Sequence, residues 1–181
     1  MKKYACWRVS SNEQNEARQL KAFRECGEKI DEIKVPGWYG TVLWNPDKQL
    51  YEMWHQMSGG GLDVYSVYYR TSADGVSWRD GTLCERLDDS TIDTMPSPTV
   101  FLDLEEEDPA KRYKLVCHGY GTRRYVLYTS QDGVNWNFET QILPGSDVIK
   151  VAYDAVNKEY VATYKTTAPE TNTKRSQNIA V

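Results

Sequence analysis

The chain has 181 residues and a formal net charge of −4, from 22 Lys and Arg against 26 Asp and Glu, and its length suits one domain with a real core. The mild acidity gives no general reason to expect nucleic-acid binding, because counterion release needs a clustered positive surface that the sequence does not show. Because the sequence has no apolar run of roughly 20 residues and no signal-peptide segment, we expect no membrane contact and a cytoplasmic location.

Aromatic residues supply much of the hydrophobic content, with 13 Tyr, 6 Trp and 3 Phe. Such a bias is typical of β-sheets, in which large rings bury much area in few residues. The four cysteines are widely spaced and form no C-x-x-C pair, so we expect buried free thiols and no zinc site, disulfide or other cofactor. These cysteines are Cys6, Cys26, Cys84 and Cys117.

The N-terminal segment, residues 1–35, is predicted to be a strand followed by a helix. Apolar residues recur at a spacing of three between positions 17 and 26, which gives one narrow helical face. Ser11 and Gln14 are spaced as in a capping box, and Gly27 offers a stop, so we expect a helix at about 12–26. Short strands are expected before it and after it, ending at Pro36.

From residue 36 the sequence becomes mainly β, and it contains an internal repeat. The octapeptide at 71–78 recurs at 129–136 with six of eight positions identical. Each of three copies has a strand, a polar turn and a second strand opened by a tyrosine, and a third strand follows. The three tyrosines are Tyr51, Tyr113 and Tyr160.

This layout predicts a mainly β fold, a partial β-propeller of about three blade-like antiparallel repeats at 38–90, 91–144 and 145–181. Ordinary hairpins in a meander or sandwich remain the alternative. The shared turn has its own logic, because Asp74 and Asp132 can accept backbone N–H bonds and the glycine that follows each can adopt positive φ. Trp78 and Trp136 are expected to pack between sheets. Nothing in the turn predicts catalysis.

Residues 37–181 resemble the five-bladed β-propeller superfamily that includes arabinanases, xylosidases and invertase-like glycoside hydrolases. The resemblance is carried by the two turns, by the 108–114 segment before a strand, and by 145–147 before a strand ending at Asp154. It implies a sugar held in a funnel where the innermost strands begin. It also implies two carboxyl groups on opposite sides of the scissile bond.

Candidate site residues follow from aligning the copies on Asn45, Asp103 and Asp154, which makes Trp38, Pro96 and Asp147 equivalent at the blade entrances. Asp147 is the acidic one of the three, and Asp93 lies three residues before Pro96. The two aspartates are candidate catalytic groups, or else caps of the turns before strands.

Trp38 and Tyr39 are candidate sugar-binding residues, and a carbohydrate is the expected partner. Three blades, the last one incomplete, do not close a five-bladed ring. We therefore expect an incomplete catalyst that self-associates through an open sheet edge. His55 and His118 fall on second strands, where we expect them to be hydrogen-bonded sheet residues rather than ligands.

The first 34 residues resemble the opening of serine recombinases of the resolvase and invertase type, in the run Arg8-Val9-Ser10-Ser11-Asn12-Glu13-Gln14-Asn15. The resemblance implies that Ser10 attacks a DNA phosphodiester, that Arg8 holds the phosphate and that Gln14 supports the site. Paired downstream arginines and a DNA-binding helix-turn-helix are missing, so we expect Ser10 to be inactive.

Three functions remain open at this point. The first is a glycoside hydrolase-like propeller module. The second is a non-catalytic carbohydrate-binding or structural propeller fragment. The third is a recombinase remnant, which alone would have DNA as its partner.

Overall fold

The computed structural model describes residues 4–5, 25, 31–32, 39–58, 65–84, 94–119, 124–145, 147–154, 156–167 and 175–181. The chain divides into two compact units, Met1–Trp38 and Tyr39–Val181. In the first unit, β1 (Tyr4–Ala5) pairs in parallel with β2 (Asp31–Glu32). Apart from Glu25, the helix predicted at 12–26 lies outside the described residues. In the ranges described, no helix has the length and hydropathy needed to cross a membrane.

The second unit is built from three antiparallel sheets that follow one another along the chain. Sheet 1 contains β3 (Gly40–Asn45), β4 (Leu50–Ser58), β5 (Tyr65–Ser72) and β6 (Thr82–Leu83). Sheet 2 contains β7 (Thr94–Leu102), β8 (Tyr113–Gly119), β9 (Arg124–Ser130) and β10 (Asn137–Pro144). Sheet 3 contains β11 (Ile149–Asp154), β12 (Glu159–Thr167) and β13 (Arg175–Ala180).

Strand order in every sheet follows the chain, as it does in a meander, and strands of all three sheets correspond. The tyrosines that open the second strands pair with equivalent residues of the first strands: Tyr51 with Trp44, Tyr113 with Leu102 and Tyr160 with Tyr153. The prediction of a mainly β, partial propeller of repeated antiparallel sheets is therefore confirmed.

We call the first strand of each sheet (β3, β7 and β11) its innermost strand, and a side chain at its last residue or directly after it caps the next turn. Asn45 Oδ1 accepts from the backbone N–H groups of Asp47 and Lys48 at 3.0 and 3.1 Å. Asp103 Oδ1 accepts from Glu105 N at 3.0 Å, and Asp154 Oδ1 accepts from Val156 N at 2.9 Å. The three positions on which the repeats were aligned thus share one role, because short polar side chains hydrogen-bond their own turns.

The repeated octapeptide forms the same turn twice. Asp74 Oδ1 accepts from Val76 N and Ser77 N at 2.9 and 2.7 Å, and Gly75 adopts a φ of 73°. In the second copy, Asp132 Oδ1 accepts from two backbone N–H groups at 2.8 Å, and Gly133 adopts a φ of 82°. A carboxylate that accepts several N–H bonds is stabilised in its charged form, which makes the turn sensitive to acid.

We expect the Asp132→Asn variant to lose less stability than the wild type between pH 4 and pH 2. Burial alone would raise the pKa of Asp132, but hydrogen bonds from Asn135, Val134 and Ser130 outweigh it and lower the pKa to about 2. A pKa depressed by folding gives stability that is present above the unfolded value of about 3.9 and lost as the pH falls towards the folded value.

Urea denaturation at several pH values measures this difference. Asp80→Asn, a change at an exposed residue outside the turn, is the matched control and should leave the acid dependence as in the wild type. Parallel acid profiles for the wild type and Asp132→Asn would contradict the prediction.

The main hydrophobic core lies between sheets 1 and 2. Trp54 and Val67 of sheet 1 pack there with Leu115, Tyr128 and Trp136 of the sheet 2 region, and all five side chains are buried. Trp136 therefore packs between sheets as predicted, whereas Trp78 is half-buried. A second cluster joins sheet 2 to sheet 3, and it consists of Val116, Tyr125, Ile149 and Ala162.

Two of the four cysteines lie in the main core. Cys84 and Cys117 are free and buried, which confirms the prediction for this pair, while Cys6 and Cys26 lie outside the described residues. Burial raises the pKa of each of the two described thiols to about 12. At neutral pH both thiols are protonated, and they behave as small apolar side chains.

A buried carboxylate connects sheets 1 and 2. Glu52 is fully buried, and its two oxygens accept from Asn45, Lys48, Tyr69 and Tyr113. The Lys48 ammonium is 2.9 Å from Oε1, and the Tyr113 hydroxyl of the next sheet is 2.8 Å from Oε2. A buried charge is tolerated when it is paired and hydrogen-bonded in this way.

An aromatic contact fixes the second copy of the repeated turn against sheet 1. The Trp54 indole N–H donates to the Gly133 carbonyl at 2.6 Å. A Cβ on Gly133 would lie 2.8 Å from the Trp54 ring, whereas one on Gly75 would lie 3.5 Å from its nearest neighbour, the Tyr51 ring. Only the second turn therefore requires glycine for close packing as well as for its backbone conformation.

Candidate functional site

We call the end of the sheets at which β3 and β11 begin the entrance end. Thr41 Oγ1 donates to Pro98 O at 3.3 Å and accepts from Val100 N at 3.1 Å. Thr99 Oγ1 donates to Ile149 O at 2.8 Å, which joins β7 of sheet 2 to β11 of sheet 3. These contacts place the starts of β3 and β11 next to residues 98–100 of β7.

A lysine of β11 in sheet 3 contacts the start of β3 in sheet 1. Lys150 is exposed, and its Nζ lies 3.4 Å from Gly40 O. Tyr39, the residue before Gly40, is half-buried, and its carbonyl accepts from Gln56 N at 2.8 Å. The predicted sugar-binding residue Tyr39 therefore lies at the entrance end, where β3 begins and β4 approaches its end.

The second strands bring one polar residue each to the entrance end. Gln56, His118 and Lys165 each lie five positions after the tyrosine that opens the strand, so they are equivalent in the three sheets. Gln56 and His118 are almost fully buried, at 2% and 4% exposure. Their side chains offer an amide, an imidazole and an ammonium group in equivalent places.

Asp147 forms an ion pair with Lys165 at the entrance end. The Lys165 ammonium donates to Asp147 Oδ2, and the two side chains are 23% and 40% exposed, respectively. Asp147 has a φ of 75°, a left-handed conformation that aspartate tolerates better than most residues. The pair gives a partly exposed acceptor beside a partly exposed donor, which is a pattern that suits hydroxyl groups.

His118 lies within reach of the charge of Asp147. Burial lowers the pKa of His118, and the backbone of Gly145 and the charge of Asp147 oppose that shift without reversing it. The imidazole is therefore neutral at pH 7. Sequence reasoning identified Asp147 but missed Lys165 and His118 as its neighbours, although the spacing of five residues from the tyrosine was a signal that pointed to them.

His55 and His118 lie on second strands, and His55 Nε2 accepts from Arg70 Nε at 2.9 Å, as expected of a hydrogen-bonded sheet residue. Gln56 Oε1 is buried and accepts no hydrogen bond from the described residues. Burial, followed by the charge of Arg70, lowers the pKa of His55 to about 4.

The other candidate residues fall outside the described residues. These are Trp38, Asp93, Ser10, Arg8 and Gln14. The glycosidase pair of Asp147 and Asp93 and the recombinase site at Ser10 thus stay predictions. Among the side chains that the structure describes, no group of three His, Cys, Asp or Glu residues is placed to hold a metal ion.

Comparison with known proteins relates the fold to carbohydrate-active proteins. No protein-family model and no curated protein matches the chain. Among solved structures, an N-acetylgalactosamine deacetylase from F. plautii, in complex with blood group B trisaccharide, matches 95% of this chain with a TM-score of 0.57 and 15% identity. A Bifidobacterium bifidum s17 protein assigned as an exo-beta-1,3-galactanase matches 70% with a TM-score of 0.54 and 16% identity.

This chain spans only 57% and 44% of the lengths of those two proteins. At such low identity the likeness concerns the fold and not the reaction. The chain is therefore similar in fold to part of each of these larger proteins.

Proposed function

We propose that this chain is a carbohydrate-binding module whose sugar site is the entrance end of the three sheets. The observation that carries the proposal is the partly exposed ion pair of Asp147 and Lys165 at the start of an innermost strand. A carboxylate and an ammonium side by side can accept from and donate to neighbouring hydroxyl groups of one sugar ring. The fold likeness to the two carbohydrate-active proteins supports this choice of ligand.

Tyr39 completes the proposed site. Aromatic rings bind the apolar faces of sugars, and Tyr39 is only half-buried. Lys150 Nζ lies beside the start of β3, the strand that follows Tyr39, and adds a second ammonium group. The arrangement favours a ligand rich in hydroxyl groups over an apolar one.

Binding without hydrolysis is the function that the described site supports best. Hydrolysis of a glycosidic bond ordinarily uses two carboxyl groups about 5 to 9.5 Å apart. Among the described residues, Asp147 is the acidic residue at the start of an innermost strand, and its Oδ2 is engaged by Lys165. A glycosidase would need a second carboxyl group at this end, the role for which Asp93 is the sequence candidate.

We expect Asp147→Asn and Tyr39→Ala each to weaken sugar binding about tenfold, because each removes one hydrogen-bonding or stacking partner. Isothermal titration calorimetry with the full chain, using β-1,3-linked galactose oligosaccharides and the blood group B trisaccharide as probes, measures the change. Asp47→Asn, the same chemical change in an exposed turn at the opposite end of sheet 1, is the matched control.

Equal weakening in the Asp47→Asn control would show that the effect is not local to the entrance end. An absence of binding to either probe by the wild-type chain would count against the proposed ligand class. Tyr39→Phe should retain the affinity that comes from the ring, and a loss as large as in Tyr39→Ala would argue against stacking.

A further inference from the structure

Each sheet of the second unit packs on the next one through the same pair of faces. We call the face that points to the following sheet the leading face and the opposite one the trailing face. The leading face of sheet 1, with Trp54, packs on the trailing face of sheet 2, with Leu115. The leading face of sheet 2, with Val116, packs in the same way on the trailing face of sheet 3, with Ile149.

A tyrosine on the trailing face marks both of these interfaces. The Tyr113 hydroxyl of sheet 2 donates to Glu52 of sheet 1, and it is also 2.7 Å from the Asn45 amide. The Tyr160 hydroxyl of sheet 3 donates to Asp103 of sheet 2. In both cases the residue that opens a second strand bonds a polar group at the end of the preceding sheet's innermost strand, or directly beside it.

The trailing face of sheet 1 has the same features, but no described residue partners them as sheet 1 partners Tyr113. Tyr51 is equivalent to Tyr113, and its hydroxyl makes no hydrogen bond to any described residue. Val42 and Trp44 beside it are 54% and 43% exposed. Trp78 is half-buried, whereas its equivalent in the second turn, Trp136, is fully buried against sheet 1.

The leading face of sheet 3 has the complementary features. Asp154 occupies the place that Asn45 and Asp103 have in the other sheets, and Tyr160 of the same sheet faces the other way, towards Asp103. Ile179 and Val181 near the outer edge are 71% and 78% exposed. This face therefore offers a carboxylate at the turn end and exposed apolar side chains at its edge.

We propose that a second copy of this chain binds head to tail, with the trailing face of its sheet 1 on the leading face of sheet 3. In this contact the Tyr51 hydroxyl of one copy donates to the Asp154 carboxylate of the other, as Tyr160 does to Asp103 within the chain. The two faces differ, so the interface is heterologous, and it leaves one face of each type to form a second equal contact.

The interface is separate from the proposed sugar site, because Tyr51 and Asp154 lie at the turn end of the sheets and Asp147 at the entrance end. The proposed interface and the proposed sugar site can therefore be tested, and can fail, independently.

Size-exclusion chromatography with light scattering tests the contact. We expect the wild-type chain to have at least twice its monomer mass of 20.9 kDa. Trp44→Asp should give the monomer, and Tyr51→Phe should weaken association about tenfold through loss of one charge-assisted hydrogen bond. Leu104→Asp, at a residue 50% exposed in a turn of sheet 2, is the matched control and should behave as the wild type.

Cross-linking tests the head-to-tail order without relying on a destabilising variant. Tyr51→Cys and Asp154→Cys are made separately in a chain whose Cys6 and Cys26 are replaced by serine. We expect an intermolecular disulfide between positions 51 and 154, seen by mass spectrometry, only when the two proteins are mixed. A monomeric wild type at high concentration, or a disulfide in either protein alone and none in the mixture, would overturn the proposal.

Discussion

Glu52→Ala should lower the free energy of unfolding by about 3 kcal/mol. The substitution leaves the hydroxyls of Tyr69 and Tyr113 and the amide of Asn45 without the acceptor that they share. It also opens a space at a fully buried position. Urea denaturation followed by tryptophan fluorescence measures the loss.

Two further variants separate charge from volume at this position. Glu52→Gln keeps the size of the side chain and one acceptor oxygen, so we expect it to fall between the wild type and Glu52→Ala. Glu107→Ala, at an exposed residue in the turn of sheet 2, should change stability by less than about 0.5 kcal/mol. Similar losses for Glu52→Ala and Glu107→Ala would mean that the buried network contributes no net stability.

The same carboxylate makes the fold sensitive to acid. Burial alone would raise the pKa of Glu52, but the hydrogen bonds from Lys48, Tyr69, Asn45 and Tyr113 together lower it below 4.5. The stabilisation is thus fully present above the unfolded pKa and is lost as the pH falls through the lower folded value.

Gly133→Ala is expected to cost about 3 kcal/mol, of which roughly 1 to 2 comes from placing a Cβ at positive φ and the remainder from overpacking. The new methyl group would lie 2.8 Å from a ring carbon of Trp54, which is itself held by its bond to the Gly133 carbonyl. Thermal and urea denaturation both report the change.

Gly75→Ala is the matched control, because it makes the same substitution in the same turn. Its φ of 73° is similar, but the nearest atoms are 3.5 Å away, so only the backbone cost of roughly 1 to 2 kcal/mol should remain. Equal losses in the two variants would show that the Trp54 contact does not discriminate between the two copies.

The sheets could be predicted from sequence because their signals are local. A turn with Asp and Gly occurs twice, and a tyrosine at the start of a second strand occurs three times, in the same order along the chain. The roles of Asp74 and Asp132 followed from side-chain chemistry within four residues of chain. Interactions of that range depend little on the rest of the fold.

The contacts between sheets could not be predicted in the same way. Glu52 meets Tyr113 from 61 positions away, and Trp54 meets Gly133 from 79 positions away. Such pairs depend on which face of one sheet packs on which face of the next. The candidate site could not be predicted fully for a related reason. Gln56, His118 and Lys165 occupy equivalent positions but are different residue types, so a search for identical residues in the repeats does not find them.

The packing of sheet 2 between sheets 1 and 3 also determines which strands unfold locally first. Sheet 2 is covered on both faces by described sheets, whereas sheets 1 and 3 each have one face packed in this way. In an array whose units contact only their neighbours, terminal units open at lower free energy than internal ones. We therefore expect amide hydrogens of β13 to exchange with solvent through fraying, and those of β8 and β9 to exchange only when the whole array unfolds.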